Sequence, residues 1–501
     1  MISSLCWIPR GVAKTIPDRY EISAEALAEM QAAKDKLEQR RGNSTPAENG
    51  KLDANGLPVE LRMDDYGEAH DSTNWDESDD DGQADIDMED EQSNEEGEMD
   101  EEDIQDEDED DDLGSDEEDY HIKDSDKMLV VAHTDEEYSC LEIYVYDEEA
   151  GSLYVHHDIP LPAFPLCTAW AGCGKNVLGD KATTTSRNYV AVGTFKPEVE
   201  LWNLDVLDAL EPTITLGSEG SKDPHTDAVM GVAWNSHHHN LLATGSADKT
   251  VKLWDLTTCE CVRTFRHHKD KVQSVAWNPV ESSVLLTGSF DRTLAVFDAQ
   301  QENGNVLSFK LGSDVECAQW NPHHPEQVLA STEDGKVTCF DVRSPGSGPL
   351  YSFQAHPRKP CSAFSFSKTV KGLLATCSPD KSVSLWNVEN TSKPQCIGTK
   401  KMAIGAIFDC AFDVSEPYML AAGGDQGMLG LWNIANDPPA NVNLEAIFNG
   451  NGATPPLPPT TEQVTEETAK ETGNEEEEET ERKPSAAKKK SKKKKGKKNK
   501  N

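Results

Sequence analysis

The residues with the most obvious chemical potential in this 501-residue chain are histidine, serine or threonine, and aspartate, which recur together. A hydroxyl, an imidazole and a carboxylate are the parts of a nucleophilic hydrolase site, but such a site occurs once and lies beside an oxyanion hole. The chain also lacks the Gly-x-Ser-x-Gly, phosphate-binding and kinase motifs. Because the trio repeats at matched spacing, we interpret it as structural and expect no enzymatic activity. The sets are His225, Thr244 and Asp248; His268, Thr287 and Asp291; and His356, Thr376 and Asp380.

Two groups of histidines, His237–His239 and His323–His324, could suggest a metal site. Adjacent side chains point in different directions, and no carboxylate or cysteine stands at ligand spacing beside them. The twelve cysteines are scattered along the chain without a Cys-x-x-Cys pair, so we expect reduced thiols. We therefore place these histidines in surface loops and expect no metal and no cofactor.

The repeated element that positions these residues is marked by paired aromatic side chains. From Trp202 onward, an aromatic residue followed by Asp or Asn recurs at intervals of 52, 43, 43, 46 and 46 residues. In five repeats a second aromatic stands 20 residues earlier. This is the length of a four-stranded propeller blade, so the spacing predicts an all-β, seven-bladed β-propeller. The pairs are Trp7 and Tyr146, Trp170 and Trp202, Trp234 and Trp254, Trp277 and Phe297, Trp320 and Phe340, Phe366 and Trp386, and Phe412 and Trp432.

The first pair implies a divided blade. The segment Ser4–Pro9 is similar to Ser274–Pro279, so residues 1–10 are predicted to supply the inner strand of the first blade. The alternative is that Trp7 belongs to an unstructured leader. We assign a short helix and an acidic insertion to residues 11–127, the propeller to 128–450 and a charged tail to 451–501.

The charge of −45 is concentrated in the predicted insertion, where residues 76–119 hold 28 acidic and no basic residues. Ten lysines occupy residues 488–500. Both stretches have too little apolar surface to offset the entropy of ordering, so we predict that they are disordered. No apolar run is long enough to span a bilayer, so we expect no membrane contact.

These repeats resemble the WD40 family, and the two aromatic residues per blade resemble its periodic-tryptophan branch. The resemblance implies that His225, Thr244, Asp248 and Trp254 form a hydrogen-bonded chain between strands. In the set formed by His268, Thr287 and Asp291, Phe297 stands in the place of the tryptophan and has no N–H to donate. The resemblance implies a structural role for Trp7, Trp170, Trp202, Trp234, Trp254, Trp277, Trp320, Trp386 and Trp432.

The loops predicted to bind a partner emerge on one face of the ring. In such a propeller, the turns between second and third strands share a face with the loops that join blades. Basic residues in both sets of loops predict a basic collar. An RNA, an acidic peptide or the chain's own acidic insertion would suit it. The candidate residues are Lys249, Arg266, Lys269, Arg292, Lys336, Arg358, Lys359 and Lys381.

The two charged segments carry further candidate sites. Ser78, Ser93 and Ser115 each have an acidic residue three positions on, the pattern that acid-directed kinases prefer. An acidic stretch of this kind can bind histones or other basic proteins. The terminal lysines predict nuclear import and an RNA contact: Lys488, Lys489, Lys490, Lys492, Lys493, Lys494 and Lys495.

The resemblance implies a scaffold of the nucleus and nucleolus that serves ribosome biogenesis, in ribosomal RNA synthesis and large-subunit assembly. Its expected partners are ribosome-assembly factors, histones or other basic proteins, and it is expected to be a monomer within larger complexes. One alternative is a histone-binding chromatin factor that regulates transcription. A second is a substrate receptor of a cullin ubiquitin ligase, because Phe340-Asp341-Val342-Arg343 resembles the aromatic-Asp-x-Arg box of such receptors.

Overall fold

The computed structural model describes residues 1–20, 120–136, 138–179, 187–301, 304–389, 393–439 and 444–448. These residues form seven antiparallel sheets arranged as the blades of a β-propeller, as the aromatic spacing predicts. Six blades have four strands, and the seventh has three within the described residues. No helix in this part of the chain is long and apolar enough to cross a membrane.

The first two blades contain the irregular parts of the ring. In the first blade, strands β1, β3, β4 and β5 pair in that order, and in the second blade β6, β7, β8 and β10 do. The short strands β2 and β9 pair in parallel at the side. The bounds are β1 (Ile2–Ile8), β2 (Asp18–Arg19), β3 (Lys127–Asp135), β4 (Tyr138–Asp147), β5 (Ser152–Pro160), β6 (Pro165–Ala171), helix α1 (Lys175–Leu178), β7 (Tyr189–Thr194), β8 (Val199–Asn203), β9 (Val206–Leu207) and β10 (Ile214–Leu216).

The remaining five blades follow the repeat directly. The third and fourth blades consist of β11 (Val229–Trp234), β12 (Leu241–Ser246), β13 (Val251–Asp255), β14 (Glu260–Phe265), β15 (Val272–Trp277), β16 (Val284–Ser289), β17 (Thr293–Asp298) and β18 (Leu307–Lys310). The fifth and sixth are β19 (Val315–Asn321), β20 (His324–Thr332), β21 (Lys336–Asp341), β22 (Tyr351–Gln354), β23 (Ala363–Phe366), β24 (Leu373–Ser378), β25 (Ser382–Asn387) and β26 (Gln395–Lys401). The seventh is β27 (Ile407–Phe412), β28 (Met419–Gly424) and β29 (Leu429–Asn433), followed by helix α2 (Leu444–Phe448).

The hydrophobic core lies between neighbouring blades. Strands β7 and β24 are buried along their whole length because each sheet is covered on both faces. The close approach of blades requires glycine at Gly245, where a Cβ atom would lie 2.7 Å from Val272 Cγ1 and 2.8 Å from Val275 Cγ2 in the next blade. Packing against neighbours on both sides therefore fixes the apolar character of the middle strands.

The ring is closed by the N-terminal strand. Strand β1 pairs antiparallel with β3, with Trp7 opposite Leu129, and it lies between the innermost strands of the second and seventh blades. The Ser4 and Thr168 hydroxyls are 3.0 Å apart on one side. On the other side, the Leu5 amide donates to Asp409 Oδ2 at 2.9 Å. Residues 2–8 therefore complete the first blade, whose next strand, β3, begins at Lys127.

The pairing register defines two faces of the ring. In the third blade, Val229 pairs with Ser246, and Val251 pairs with Phe265. The start of β11 and the end of β14, where the chain enters and leaves the blade, therefore lie beside the turn between β12 and β13. We call this the upper face. The lower face carries the loops between first and second strands and between third and fourth strands.

Candidate functional site: the two faces of the propeller

The repeated histidine, threonine and aspartate residues form structural hydrogen-bonded chains. His225 Nδ1 is 2.8 Å from Asp248 Oδ2, and His225 Nε2 is 2.7 Å from Thr244 Oγ1. The Trp254 indole donates to the same hydroxyl at 2.9 Å. Burial lowers the pKa of His225, so the neutral imidazole donates to the carboxylate and accepts from the hydroxyl. Because the hydroxyl is buried and fully engaged, it is not available as a nucleophile.

The sixth blade has the same complete chain, and the fourth has a modified one. His356 lies 3.0 Å from both Asp380 and Thr376, and the Trp386 indole donates to Thr376 at 3.1 Å. In the fourth blade His268 contacts Asp291 at 3.0 Å and Thr287 at 2.8 Å.

In the fourth blade, a second histidine, His267, packs against Phe297 and contacts the threonine hydroxyl that the indole would otherwise contact. His267 Nε2 lies 3.4 Å from Thr287 Oγ1, and its ring centroid is 4.6 Å from that of Phe297. Burial and the neighbouring His268 lower the pKa of His267 to about 4. The role of His267 was not predicted from the sequence, because the other two hydrogen-bonded chains have no histidine at the equivalent position.

The upper face holds all eight basic residues that the sequence selects, but half of them are neutralised by acids. Ion pairs join Lys249 to Asp270 at 3.7 Å, Arg266 to Asp223 at 3.6 Å, and Arg292 to Asp314 at 3.0 Å. Lys336 pairs with Asp334. Exposed pairs of this kind contribute little stability, yet they cancel the local charge. The upper face is therefore alternately charged over the third to fifth blades.

Four exposed basic residues without an ion pair lie close together on one part of the upper face. Within the described residues, Arg358, Lys359, Lys381 and Lys401 are exposed and form no ion pair. The bond from His356 to Asp380 holds the loop that carries Arg358 against the turn that carries Lys381. Lys401 is paired in the sheet with Ser382, next to that turn. We call these four residues the basic patch. Within the same described residues, five other exposed basic residues of the upper face form no ion pair, but they are spread over the second to fourth blades: Lys196, Lys222, Lys269, Lys271 and Lys310.

The lower face has a different character, because the innermost strands end there in a ring of aromatic side chains. They surround a cavity of about 520 Å³ at the mouth of the central channel. Gln319, Lys368 and three prolines are among the other residues that line it. The aromatic residues, one from each blade, are Trp7, Trp170, Trp234, Trp277, Trp320, Phe366 and Phe412.

Three of these tryptophans also join blades through their indole N–H groups. Trp7 donates to the Ala411 carbonyl at 3.0 Å, Trp277 to Ala233 at 3.0 Å, and Trp320 to Ala276 at 3.2 Å. In each case the acceptor belongs to the preceding blade of the ring. The indole thus performs a structural role and contributes an apolar face to the channel mouth.

The histidine groups of the lower face contact neighbouring blades. His237 Nε2 lies 3.2 Å from the Pro279 carbonyl, and His238 Nε2 lies 3.1 Å from Ser282 Oγ. His323 Nε2 lies 3.0 Å from the Ser367 carbonyl. The expectation of simple surface loops therefore misses their role in joining blades, and His324 is the first residue of β20.

In the aromatic-Asp-x-Arg segment of the fifth blade, the arginine and the aspartate bind each other. The Arg343 guanidinium donates to both Asp341 oxygens, at 3.0 and 2.7 Å, and lies 3.6 Å from Glu326. Arg343 also lines a separate groove of about 490 Å³ between the fourth and fifth blades.

Several sequence predictions lie outside the described residues. These are the helix and acidic insertion over residues 21–119, with Ser78, Ser93 and Ser115, and the tail with its lysine cluster. They remain predictions.

The chain is similar to known repeat proteins over most of its length. The model for the WD domain, G-beta repeat matches residues 218–255, 259–298 and 347–387. A WD repeat-containing protein of Schizosaccharomyces pombe is 35% identical over 484 residues, which cover 89% of this chain and 91% of that protein. Periodic tryptophan protein 1 homolog of Drosophila melanogaster is 31% identical over 465 residues, covering 87% and 94%.

A shorter similarity connects part of the ring to another protein. Over 88 residues, 16% of this chain, the sequence is 35% identical to Histone acetyltransferase type B subunit 2 of Aspergillus oryzae. That stretch covers 20% of the Aspergillus protein.

Proposed function

The chain belongs to the periodic tryptophan protein 1 family of WD40-repeat proteins, and on this premise we propose that it is a non-enzymatic scaffold of nucleolar ribosome biogenesis. In this proposal it acts in ribosomal RNA synthesis and large-subunit assembly, in the nucleus and nucleolus. The propeller holds assembly factors, while the acidic insertion and the lysine-rich tail bind basic proteins and RNA.

The observation that supports this proposal best is the basic patch. Its four cations lie close together, are exposed and form no ion pair within the described part of the chain, whereas Lys249, Arg292 and Lys336 of the upper face are paired with acids. Unpaired surface cations gain more from an anionic partner than paired ones, because no existing ion pair has to be broken. The patch therefore suits RNA phosphates or an acidic segment of an assembly factor.

The aromatic channel mouth supports a second contact. Large aromatic side chains with a polar edge are typical of the buried centres of protein interfaces. Because the mouth and the basic patch lie on opposite faces, one propeller would be able to hold two partners at once. This is the arrangement that a scaffold requires.

Replacing Arg358 and Lys359 by glutamate tests the proposal. We expect at least a tenfold loss of the protein from fractions that contain pre-ribosomes, because two attractive charges become repulsive. Sedimentation with and without RNase would separate contacts to RNA from contacts to proteins. A matched control, Lys175→Glu with Lys393→Glu, makes the same charge change at exposed positions of the lower face that form no ion pair within the described residues. Unchanged sedimentation of the Arg358 and Lys359 variant would contradict the assignment of the patch.

A histone-binding chromatin factor is a second candidate function, favoured by the short match to Histone acetyltransferase type B subunit 2. In this reading the acidic insertion contributes counter-charge to the histones. Nuclease-released chromatin should then carry the protein, and capture of histones should persist after RNase treatment. Release of the protein by RNase would favour the ribosomal function.

A further inference from the structure

A cluster of three potential metal ligands lies in the first blade, beside its upper-face turn between β3 and β4 and apart from the basic patch of the fifth and sixth blades. His133 in β3 is directly opposite Cys140 in β4, and Glu142 follows Cys140 by two positions on the same strand. Alternation along a strand places all three side chains on one side of the sheet. One ligand atom from each residue lies within 4.8 Å of those of the other two.

We propose that His133, Cys140 and Glu142 bind a zinc ion, with water as the fourth ligand. Imidazole nitrogen, thiolate sulfur and carboxylate oxygen are the ligand types of protein zinc sites, and the thiolate disfavours magnesium and calcium. On binding, the Cys140 thiol releases its proton to solvent and a zinc–sulfur bond forms, without oxidation or reduction.

The surroundings of the cluster suit a bound cation. The Tyr144 hydroxyl donates to Glu142 Oε2 at 3.0 Å, which orients the carboxylate as outer groups do in metal sites. Glu142 is directly opposite Asp158 in β5, a like-charge pair that is unfavourable without a cation.

Access to the cluster is limited but present. Cys140 is 3% exposed, while the side chains of His133 and Glu142 are 21% and 17% exposed. The ligand that binds metal most tightly is thus shielded, and the other two border solvent. His133 Nδ1 and Glu142 Oε1 are 2.8 Å apart, so small shifts would admit the ion between them.

The cluster lies where the ring closes. Ile2 of β1 is opposite His133, and a Cβ atom at Gly427, in the turn after β28, would lie 2.7 Å from His133 Nε2. A zinc ion here would join β3 to β4 beside the contact between the first and seventh blades. Because the ligands converge only when these strands pair, zinc would bind the folded ring and stabilise it.

Metal titration of the full chain tests the proposal. After chelator treatment, we expect one zinc ion per chain in competition with a chromophoric chelator. We expect cobalt to give the charge-transfer band of a cobalt–thiolate bond, and zinc to raise the melting temperature. The variants Cys140→Ser and Glu142→Gln should each lower zinc affinity by at least tenfold.

The control is Cys396→Ser, which removes an exposed thiol from β26. It should retain the zinc affinity and the cobalt–thiolate band. Glu142→Gln keeps an oxygen that can accept from Tyr144, so we expect it to fold. Its zinc affinity therefore tests the proposal even if Cys140→Ser is misfolded. Equal zinc affinity in Glu142→Gln and the unmodified chain, or a cobalt complex without the thiolate band, would overturn the proposal.

Discussion

At the scale of single residues, the structure explains why tryptophan recurs where the innermost strands end. In the fourth blade Trp277 donates to the Ala233 carbonyl of the third blade, and the next residue, Asn278, donates to the Pro325 carbonyl of the fifth at 2.9 Å. Two consecutive side chains thus join three blades. A phenylalanine preserves the apolar surface but cannot make the first bond.

The hydrogen-bonded chains give a direct test of residue roles. Thr244→Val leaves both His225 Nε2 and Trp254 Nε1 without their partner. Thr287→Val leaves His268 Nε2 without its partner but removes no indole bond, because Phe297 stands in that place and the His267 Nε2 contact to Thr287 is long, at 3.4 Å. Each unsatisfied buried group costs about 1–3 kcal/mol. We therefore expect Thr244→Val to lower the free energy of unfolding by about 2–4 kcal/mol, and Thr287→Val by about 1–2 kcal/mol less. Urea denaturation would measure both, and equal losses would contradict the role given to the indole.

At the scale of elements, β1 is the most unusual strand. It reaches the first blade across more than a hundred intervening residues, yet it makes the same contacts as the inner strands of other blades. Such an insertion is tolerated because the entropy of loop closure rises slowly with length, by roughly 0.6 kcal/mol per doubling. Its position buries Ile2, Leu5 and Trp7 against Met419 and other residues of the seventh blade.

Removal of residues 1–10 should therefore destabilise the whole ring. The deletion exposes the inner edge of β3 and the apolar contact with the seventh blade, so we expect the melting transition to broaden and shift to lower temperature. Trp7→Phe should cost only about 1 kcal/mol, the net value of its bond to Ala411. Trp277→Phe, which loses an equivalent bond at 3.0 Å, is the matched control. An unchanged melting curve for the deletion would show that β1 is dispensable.

At the scale of the whole molecule, the ring places the two ends of the acidic insertion and the basic patch on different blades. On the N-terminal side of the predicted acidic insertion the Tyr20 amide donates to the Leu207 carbonyl, and on its C-terminal side the Tyr120 carbonyl lies 3.0 Å from His156 Nε2. The acidic insertion thus starts and ends beside the first two blades. The basic patch belongs to the loops of the fifth and sixth blades, on the upper face.

Closure of the ring also places carboxyl groups of innermost strands in poorly solvated positions. Burial, with repulsion from Glu333 and Asp314, raises the pKa of Glu316 to about 7. Burial raises the pKa of Asp409 to about 6, although the Leu5 amide donates to it. An acid with a raised folded-state pKa binds more protons in the folded state, so its ionisation weakens folding as pH rises through that pKa.

Glu316→Gln should therefore gain stability relative to the unmodified chain as pH rises from 5 to 8, by up to about 3 kcal/mol. The reason is that glutamine avoids the cost of the buried charge, which is absent at pH 5 in both proteins. Urea denaturation at several pH values would measure the difference. Glu281→Gln, at an exposed position of the lower face, should show no such trend. A difference that does not change with pH would contradict the buried ionisation.

The sequence alone determines the blade count, and its resemblance to the WD40 family indicates the hydrogen-bonded chains. Both depend on residue types at fixed spacing, such as Trp254 20 residues after Trp234 and ten after Thr244, and spacing within one blade is a property of the chain. The similarity of Ser4–Pro9 to a later inner strand likewise indicates where β1 lies. These features can be predicted from the sequence because each blade repeats the same strand order and the same residue spacing.

Only the tertiary structure decides which basic residues are free and which ligand types meet. Lys249 and Arg292 have acidic partners, Asp270 and Asp314, that lie about 20 residues away in the loops leading to the next blade. His133, Cys140 and Glu142 converge because β3 and β4 pair in one register, and a shift of one residue would separate them. Charge pairing and ligand convergence depend on distances between strands and blades, and these are fixed only when the ring is closed.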